Sequence, residues 1–281
     1  MSFTTPPSHL IAQHIASALA EDIGAGDWTA QLIEAHTTGC ATIVAREATV
    51  LAGRPWVDEC FRQVDARCRV GWHVAEGEVA FAGTVLCTVE GPARALLTAE
   101  RTALNFLQTL SATATLTRRF VDAVAGYKAQ ILDTRKTLPG LRLAQKYAVT
   151  VGGGVNQRVG LYDGVLIKEN HILAAGGIRQ ALLAAQTLAP AHVSIQVEVE
   201  SLAELSEALD AGAKLILLDN MGLDDMRAAV QMAAGCAALE ASGNVSLDTI
   251  AAIAATGVDR ISIGKLTKDV AAVDLSMRFV G

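Results

Sequence analysis

The chain has 281 residues, 51% of them hydrophobic and 4% aromatic, and a formal charge of −6. That length can bury a sizeable core in one large or two smaller domains, and the acidic balance argues against a broad nucleic-acid face. No uncharged apolar run of about 18 residues predicts a membrane span, and MSFTTPPSHL lacks the basic-then-apolar layout of a secretory signal.

Residues 8–20, SHLIAQHIASALA, have helical periodicity, with Ser8 placed to cap the helix. EDIGAGDWTA at 21–30 reads as a glycine-containing loop whose acids either form a solvated turn or hold a neighbouring arginine. Residues 39–97 change character. Short β-type runs broken by Gly and Pro predict a small antiparallel sheet. Residues 72–91 contain no lysine, which argues against a lysine-linked cofactor carrier there. Residues 98–125 read as one or two helices before Gly126. Thr98 is a candidate cap, and Ser111 with the Thr-rich stretch after it marks an expected break and domain boundary.

From about residue 130 the pattern is regular. Apolar runs at 131–133, 164–167, 193–199, 214–219, 237–241 and 260–263 alternate with amphipathic helical segments. Ser201 with Glu204 makes a capping box, and Gly212, Gly235 and Gly257 fall where helices should stop. Alternating β and α implies parallel strands, and six strands fall short of a complete eight-stranded barrel.

The ends of these strands carry the polar residues: Asp133–Lys136, Lys168–Asn170, Glu198 with Glu200, Asp219–Asn220, Glu240 with Ser242–Asn244, and Gly264–Lys265. In parallel α/β folds the C-terminal strand ends converge on one face, where ligands bind, so these distant residues should share a pocket. The stretch Asp133–His171 holds six Lys/Arg against three acids, a cationic island in an acidic chain. It suits a small anion, with arginine forks matching carboxylates or phosphates. Glu198 and Asp219 could hold Mg²⁺ or sugar hydroxyls, and the turns at Ser242–Asn244 and Gly264–Lys265 could cradle a phosphate. GGGVNQRVG at 152–160 is neither a Walker loop nor a dinucleotide fingerprint, and reads as a tightly turning loop.

Several of these segments carry a family resemblance: EDIGAGDWTA, ERTALNFLQTLS, DTRKTLPGLRLAQKYAV, GGGVNQRVGLYDGVLIKENHI, VEVESLAELSEAL, LLDN, LEASGN and GVDRISIGKLTKDVAAVDLSMRF. In order along nearly the whole chain, they resemble quinolinate phosphoribosyltransferase. The resemblance implies an α/β fold: an N-terminal α/β sandwich domain over residues 1–112, to which the tail 268–281 returns, and an incomplete six-stranded parallel α/β barrel over 113–267. It implies transfer of phosphoribosyl from phosphoribosyl pyrophosphate to quinolinate with loss of pyrophosphate and CO₂, giving nicotinate mononucleotide for NAD synthesis. Mg²⁺ is the implied cofactor, held directly or indirectly by Glu198 and Asp219. Arg101 would reach across a homodimer to the partner site. Arg135, Lys136, Arg158 and Lys168 would bind the two carboxylates of quinolinate, and Thr134 is a further substrate-binding residue. Glu198 and Asp219 would hold ribose hydroxyls, and Ser242, Gly243, Asn244, Gly264 and Lys265 would line the 5′-phosphate site. Lys136, Glu198 and Asp219 are the implied catalytic residues.

The chain departs from the family pattern at Gln157, where His is usual, at Ala112, where Gly is often found, and at Asp269 in a segment that often carries His. Two other readings share these residues: a non-catalytic binder of a phosphosugar or pyridine acid, and a phosphoribosyltransferase for another aromatic acid. Arg142 and Lys146 read as helix-surface charges, and Trp28, Trp56 and Trp72 as packing residues. For His171, capping, core bonding and a place at the site all stay open. The five cysteines form no CxxC pair, which predicts reduced, buried thiols in a cytoplasmic protein.

Overall fold

The computed structural model describes residues 3–280. Residues 1, 2 and 281 of the expected first domain and its tail lie outside that range. The chain forms two compact units. One takes the residues up to Arg118 together with Leu138–Gly153 and the segment from Asp269 onward, and the other takes Arg119–Thr137 and Gly154–Lys268.

The first unit begins with α1 (Ser8–Ile23), whose Ile11, Ile15 and Leu19 repeat every fourth residue and are buried. Pro7, not Ser8, occupies the cap position, and no side chain caps this helix. Then follow β1 (Thr38–Ala45), β2 (Thr49–Val50), α2 (Arg54–Val64), β3 (Arg69–Trp72), β4 (Val79–Ala80), β5 (Val85–Pro92) and α3 (Ala93–Ala123). The helix α2 has no counterpart in the sequence reading. It buries Trp56, Val57, Cys60 and Phe61. Its first N–H groups are satisfied from far along the chain, because the Glu76 carboxylate accepts the Gly53 and Arg54 amides at 2.7 and 3.2 Å. Glu76 also accepts the Tyr147 hydroxyl at 2.8 Å. Burial nevertheless raises its pKa, more than these bonds lower it.

The expected break at Ser111 does not exist, since α3 runs unbroken for 31 residues. The hydroxyls of Ser111, Thr115 and Thr117 are occupied, whereas Thr113 Oγ1 is buried without a partner among the described residues. Ser111 Oγ accepts the Ala52 N–H at 3.0 Å and donates to the Ala52 carbonyl at 3.1 Å. Thr115 and Thr117 donate to carbonyls one turn back, at 2.6 and 2.8 Å. Thr98 sits inside α3 rather than capping it, and donates to Asp27 Oδ2 at 2.7 Å. Asp27 thus holds a threonine and the Ala30 amide, not an arginine.

After α3 come β6 (Gln130–Leu132), α4 (Arg142–Val151), β7 (Gly164–Ile167), α5 (Glu169–Ala175), α6 (Ile178–Leu188), β8 (Ser194–Val199), α7 (Leu202–Asp210), β9 (Leu215–Asp219), α8 (Leu223–Ala233), β10 (Ala238–Ser242), α9 (Ile250–Ala254), β11 (Arg260–Ser262), α10 (Lys265–Lys268) and β12 (Leu275–Phe279). In the first unit β12 joins an antiparallel sheet of order β12-β1-β5-β3. Its core includes Ile15, Trp56, Phe61, Leu104, Leu107 and Leu110, all 1% exposed or less. Each such side chain contributes about 1.5–3 kcal/mol of burial. Lys146 on α4 is only 2% exposed, so it is not the surface charge its sequence suggests: α4 is buried on all sides over Ala144–Val149. Trp28 is 77% exposed, so it is not the packing residue its sequence suggests. Gly152 closes α4 where a Cβ would meet the Ala114 carbonyl and Thr117, so the triple glycine marks a close helix approach. All five cysteines are free, and Cys236 is exposed, not buried, in the turn after α8.

The second unit holds six parallel strands in the order β6-β11-β10-β9-β8-β7. Among the described residues the edge strands β6 and β7 do not pair with each other, so the barrel is incomplete. Ser201 caps α7 by accepting the Glu204 N–H at 3.3 Å. Val155 adds a single parallel bridge to Leu132 on β6, which delivers the next residues, Asn156–Arg158, to the C-terminal end of the sheet.

Candidate active site

Inward-facing side chains alternate along each barrel strand. Period two therefore places Lys168, Glu198, Asp219, Ser242 and Gly264 at the upper rim, with Leu166, Leu217, Glu240 and Ser262 two residues deeper. All of these line one cavity of two lobes, about 450 and 250 Å³, which share Thr134, Lys136, Lys168, Glu198, Ser242 and Ser262. The larger lobe adds Asp219, Asn220, Gly243, Asn244, Gly264, Lys265 and Lys268. The smaller adds Arg135, Gln157, Arg158 and Glu240.

The smaller lobe is cationic. Arg158 Nη1 donates to the Gly164 carbonyl at 3.0 Å, which points the guanidinium along the free edge of β7. Burial, and then the neighbouring Arg135 charge, lower the Arg158 pKa. Both guanidinium groups line this lobe, a setting that suits an anion. Asp133, fully buried, accepts the Asn156 side-chain amide at 2.6 Å and the Gln157 N–H at 2.9 Å. Gln157 Nε2 donates to Gln196 at 3.0 Å, and Gln196 Nε2 donates to Glu240 at 3.0 Å.

Lys168 stands between the lobes, with its Nζ 3.0 Å from Glu198 Oε2. His171 does not line either lobe. Its Nδ1 accepts the Lys168 N–H at 3.0 Å and caps α5. In the larger lobe the backbone turns sharply, at Asn220 (φ 53°), Gly243 (φ 103°) and Asn244 (φ 50°). The Asn220 N–H is held by the Ser242 carbonyl at 2.9 Å, which locks two strand ends together. Thr134 Oγ1 accepts the Lys136 N–H at 3.0 Å, and Thr267 donates to the Lys136 carbonyl at 2.7 Å, so the chain at Lys136 is fixed from both sides. Glu200 stays outside the cavity lining. Its carboxyl is pushed up first by the charge of Glu169 and then by its slight burial and the other nearby acids.

Residues 113–278 match the C-terminal domain of quinolinate phosphoribosyl transferase, and residues 27–111 match its N-terminal domain. The chain belongs to the quinolinate phosphoribosyltransferase family. It is 46% identical over 272 residues to the nicotinate-nucleotide pyrophosphorylase [carboxylating] of Mycobacterium leprae, covering 94% of this chain and 95% of that protein. It is 38% identical over 296 residues to a mitochondrial quinolinate phosphoribosyltransferase [decarboxylating] of Nicotiana tabacum, covering 97% and 84%. The solved nicotinate-nucleotide pyrophosphorylase of Francisella tularensis superposes with a TM-score of 0.96 at 44% identity over 98% of each chain.

In this quinolinate phosphoribosyltransferase family member, twelve sequence-predicted site residues converge on the cavity: Thr134, Arg135, Lys136, Arg158, Lys168, Glu198, Asp219, Ser242, Gly243, Asn244, Gly264 and Lys265. Arg101 is exposed on α3 in the first unit and lines neither lobe. Asp269 lines neither lobe, whereas Lys268 lines the larger. The sequence reading passed over the roles of Asp133, Gln196 and Glu240. For Gln196 and Glu240 the signal was a polar residue at an inward position of an otherwise apolar strand, two residues below Glu198 and Ser242, whereas Asp133 follows β6.

Proposed function

We propose that this chain transfers the phosphoribosyl group of phosphoribosyl pyrophosphate to the ring nitrogen of quinolinate and releases pyrophosphate and CO₂, giving nicotinate mononucleotide. The observation that carries this reading is a cavity of two unlike lobes, one lined by the arginine pair Arg135 and Arg158 and the other by the amide and glycine turns at Asn220 and Ser242–Asn244 with Lys265 and Lys268. Arg135, Arg158 and Lys168 hold the two carboxylates of the aromatic acid. The turns at Ser242–Asn244 and Gly264–Lys265 hold the 5′-phosphate through backbone N–H groups and the Lys265 charge. Glu198 lines both lobes and faces the sugar carbon as positive charge develops there, while Lys136 neutralises the departing diphosphate. After transfer, the cationic ring nitrogen stabilises the electron pair left on C2 when CO₂ departs, and C2 then takes a proton.

Mg²⁺ fits this site as an ion that enters with the diphosphate. Among the described residues no three His, Cys, Asp or Glu side chains cluster as a metal site. Glu198 is paired with Lys168, and Asp219 accepts the Asn220 amide at 3.0 Å. Two carboxylates plus substrate oxygens suit Mg²⁺, which keeps its waters and takes few protein ligands. The ion supplies charge neutralisation of the leaving group. The assembly is a homodimer in which Arg101 of each protomer completes the partner's diacid site, supported by the exposure of Arg101 and of Trp28, Leu32 and Phe81 in the same unit. The chain's five free cysteines suit a reducing compartment such as the cytoplasm.

The test is quinolinate-dependent formation of nicotinate mononucleotide with stoichiometric CO₂. Binding of both substrates without turnover points instead to a non-catalytic binder. Equal turnover of nicotinate refutes the two-carboxylate reading. Mixing inactive Arg101→Ala and Glu198→Ala proteins restores activity only if Arg101 serves the other protomer's site.

A further inference from the structure

Glu240 is 1% exposed and lies on β10, two residues below Ser242 on the same barrel face, about 6.6 Å deeper along the strand. It lines the smaller lobe with Arg135, Lys136, Arg158, Lys168 and Glu198. Its two oxygens differ. Oε2 accepts Gln196 Nε2 at 3.0 Å, while Oε1 is buried and makes no hydrogen bond of good geometry among the described residues, although the Ser262 side chain lies close enough to Glu240 to lower its pKa. The amide chain behind it runs one way, from Gln157 Nε2 to Gln196 Oε1 and from Gln196 Nε2 to Glu240 Oε2. Neither amide titrates, so Gln196 occupies Oε2 as an acceptor and Oε1 is the oxygen on which a proton would sit. Burial raises the Glu240 pKa, more than Gln196 and Ser262 lower it. Arg260 also lowers it and Asp133 raises it. An ionised floor would repel an incoming dianion, whereas a neutral carboxyl has an O–H to offer it.

We propose that Glu240 is a substrate-binding group at the floor of the cationic lobe, donating a hydrogen bond from Oε1 to a carboxylate oxygen of the aromatic diacid. Gln157 and Gln196 are the positioning residues that orient it. The proposal rests on the quinolinate reading above and adds to it a neutral donor among the cations.

The experiment is calorimetric titration of the full-length protein with quinolinate and, separately, with phosphoribosyl pyrophosphate. Glu240→Ala is expected to weaken quinolinate about tenfold or more, the loss of a buried hydrogen bond to a charged group, and to leave phosphoribosyl pyrophosphate affinity unchanged within about twofold. Glu240→Gln recovers most of that loss, since its amide can accept from Gln196 and donate into the lobe. Independently of those affinities, the infrared difference spectrum of quinolinate-loaded minus free parent protein carries the carbonyl stretch of a protonated carboxyl, and Glu240→Gln removes it. Unchanged quinolinate affinity in Glu240→Ala, tighter binding in Glu240→Gln, or a difference spectrum that Glu240→Gln leaves intact overturns the proposal. A parent protein that binds no quinolinate overturns the proposed function itself, and this inference with it.

Discussion

Asp133 Oδ1 accepts the backbone N–H of Gln157 at 2.9 Å, across 24 residues of sequence. The same carboxylate takes the Asn156 amide through its other oxygen, so one buried group ties the end of β6 to the segment that carries Arg158. It thereby sets the distance between Arg135, two residues after it, and Arg158. Removing it leaves the Gln157 N–H without this acceptor, at a cost of about 1–3 kcal/mol, and lets the two guanidinium groups drift apart. Asp133→Ala should therefore raise the quinolinate KM about tenfold or more while the phosphoribosyl pyrophosphate KM changes little. Asp133→Asn keeps an acceptor for Gln157 and should recover part of the loss. A parental quinolinate KM in the alanine variant would sink the positioning role.

Lys168 and Glu198 are expected to separate binding from chemistry. Their ion pair joins a half-exposed lysine to a carboxylate whose side chain is 12% exposed. Lys168→Ala removes a cation from the diacid lobe and should appear mainly in the quinolinate KM. Glu198→Gln keeps the shape but removes the charge that faces the sugar carbon. It should lower kcat about 10²-fold, with quinolinate KM near the parental value. Steady-state kinetics with each substrate varied in turn checks both, and a Glu198→Gln enzyme with parental kcat contradicts the electrostatic role.

Gly243 tests the phosphate half. Its φ of +103° lies in the left-handed region, and a Cβ there would run into the Asn220 side chain. Gly243→Ala must move either the Ser242–Asn244 turn or Asn220. Phosphoribosyl pyrophosphate affinity should fall by about tenfold or more, the strain amounting to about 1–3 kcal/mol, while quinolinate binding persists. Calorimetry with each ligand reads the two arms, and equal losses in both would mean that the lobes are not independent.

Much of this site was legible because strand ends in a parallel sheet are forced together. Knowing that 164–167, 194–199 and 215–219 are neighbouring strands is enough to bring Lys168, Glu198 and Asp219 to one rim. What stayed hidden depended on contacts distant in sequence. The helix α2 begins at Gly53 with no capping side chain of its own, and its acceptor, Glu76, lies 23 residues away. The seven residues of α5 bury nothing, so no apolar stripe announces them. Ser111 and its threonines resemble a helix break until Ala52 is seen to take both hydrogen bonds of the serine. Gln157 read as a lost histidine, yet its side chain continues into Gln196 and Glu240, a chain that only the barrel register assembles.

The first unit carries its own pH response at His14. The imidazole stacks near Trp56 and Phe106, with centroids 6.5 Å away, and its Nδ1 accepts the Trp56 indole N–H at 3.3 Å. Burial lowers its pKa below the ordinary value of 6.5, against an opposing contribution from the Gly140 backbone. A base whose folded pKa is depressed supports the fold above its unfolded value and loses that support as pH falls, because the unfolded chain takes up the proton first. Urea unfolding followed by tryptophan fluorescence should thus show stability declining as pH drops from about 7.5 to about 5.5, across the ordinary histidine range. His14→Gln retains an acceptor for the indole but cannot titrate. Its stability relative to the parent should rise steadily over that interval. A parent-to-variant difference that stays constant with pH would place the titration elsewhere.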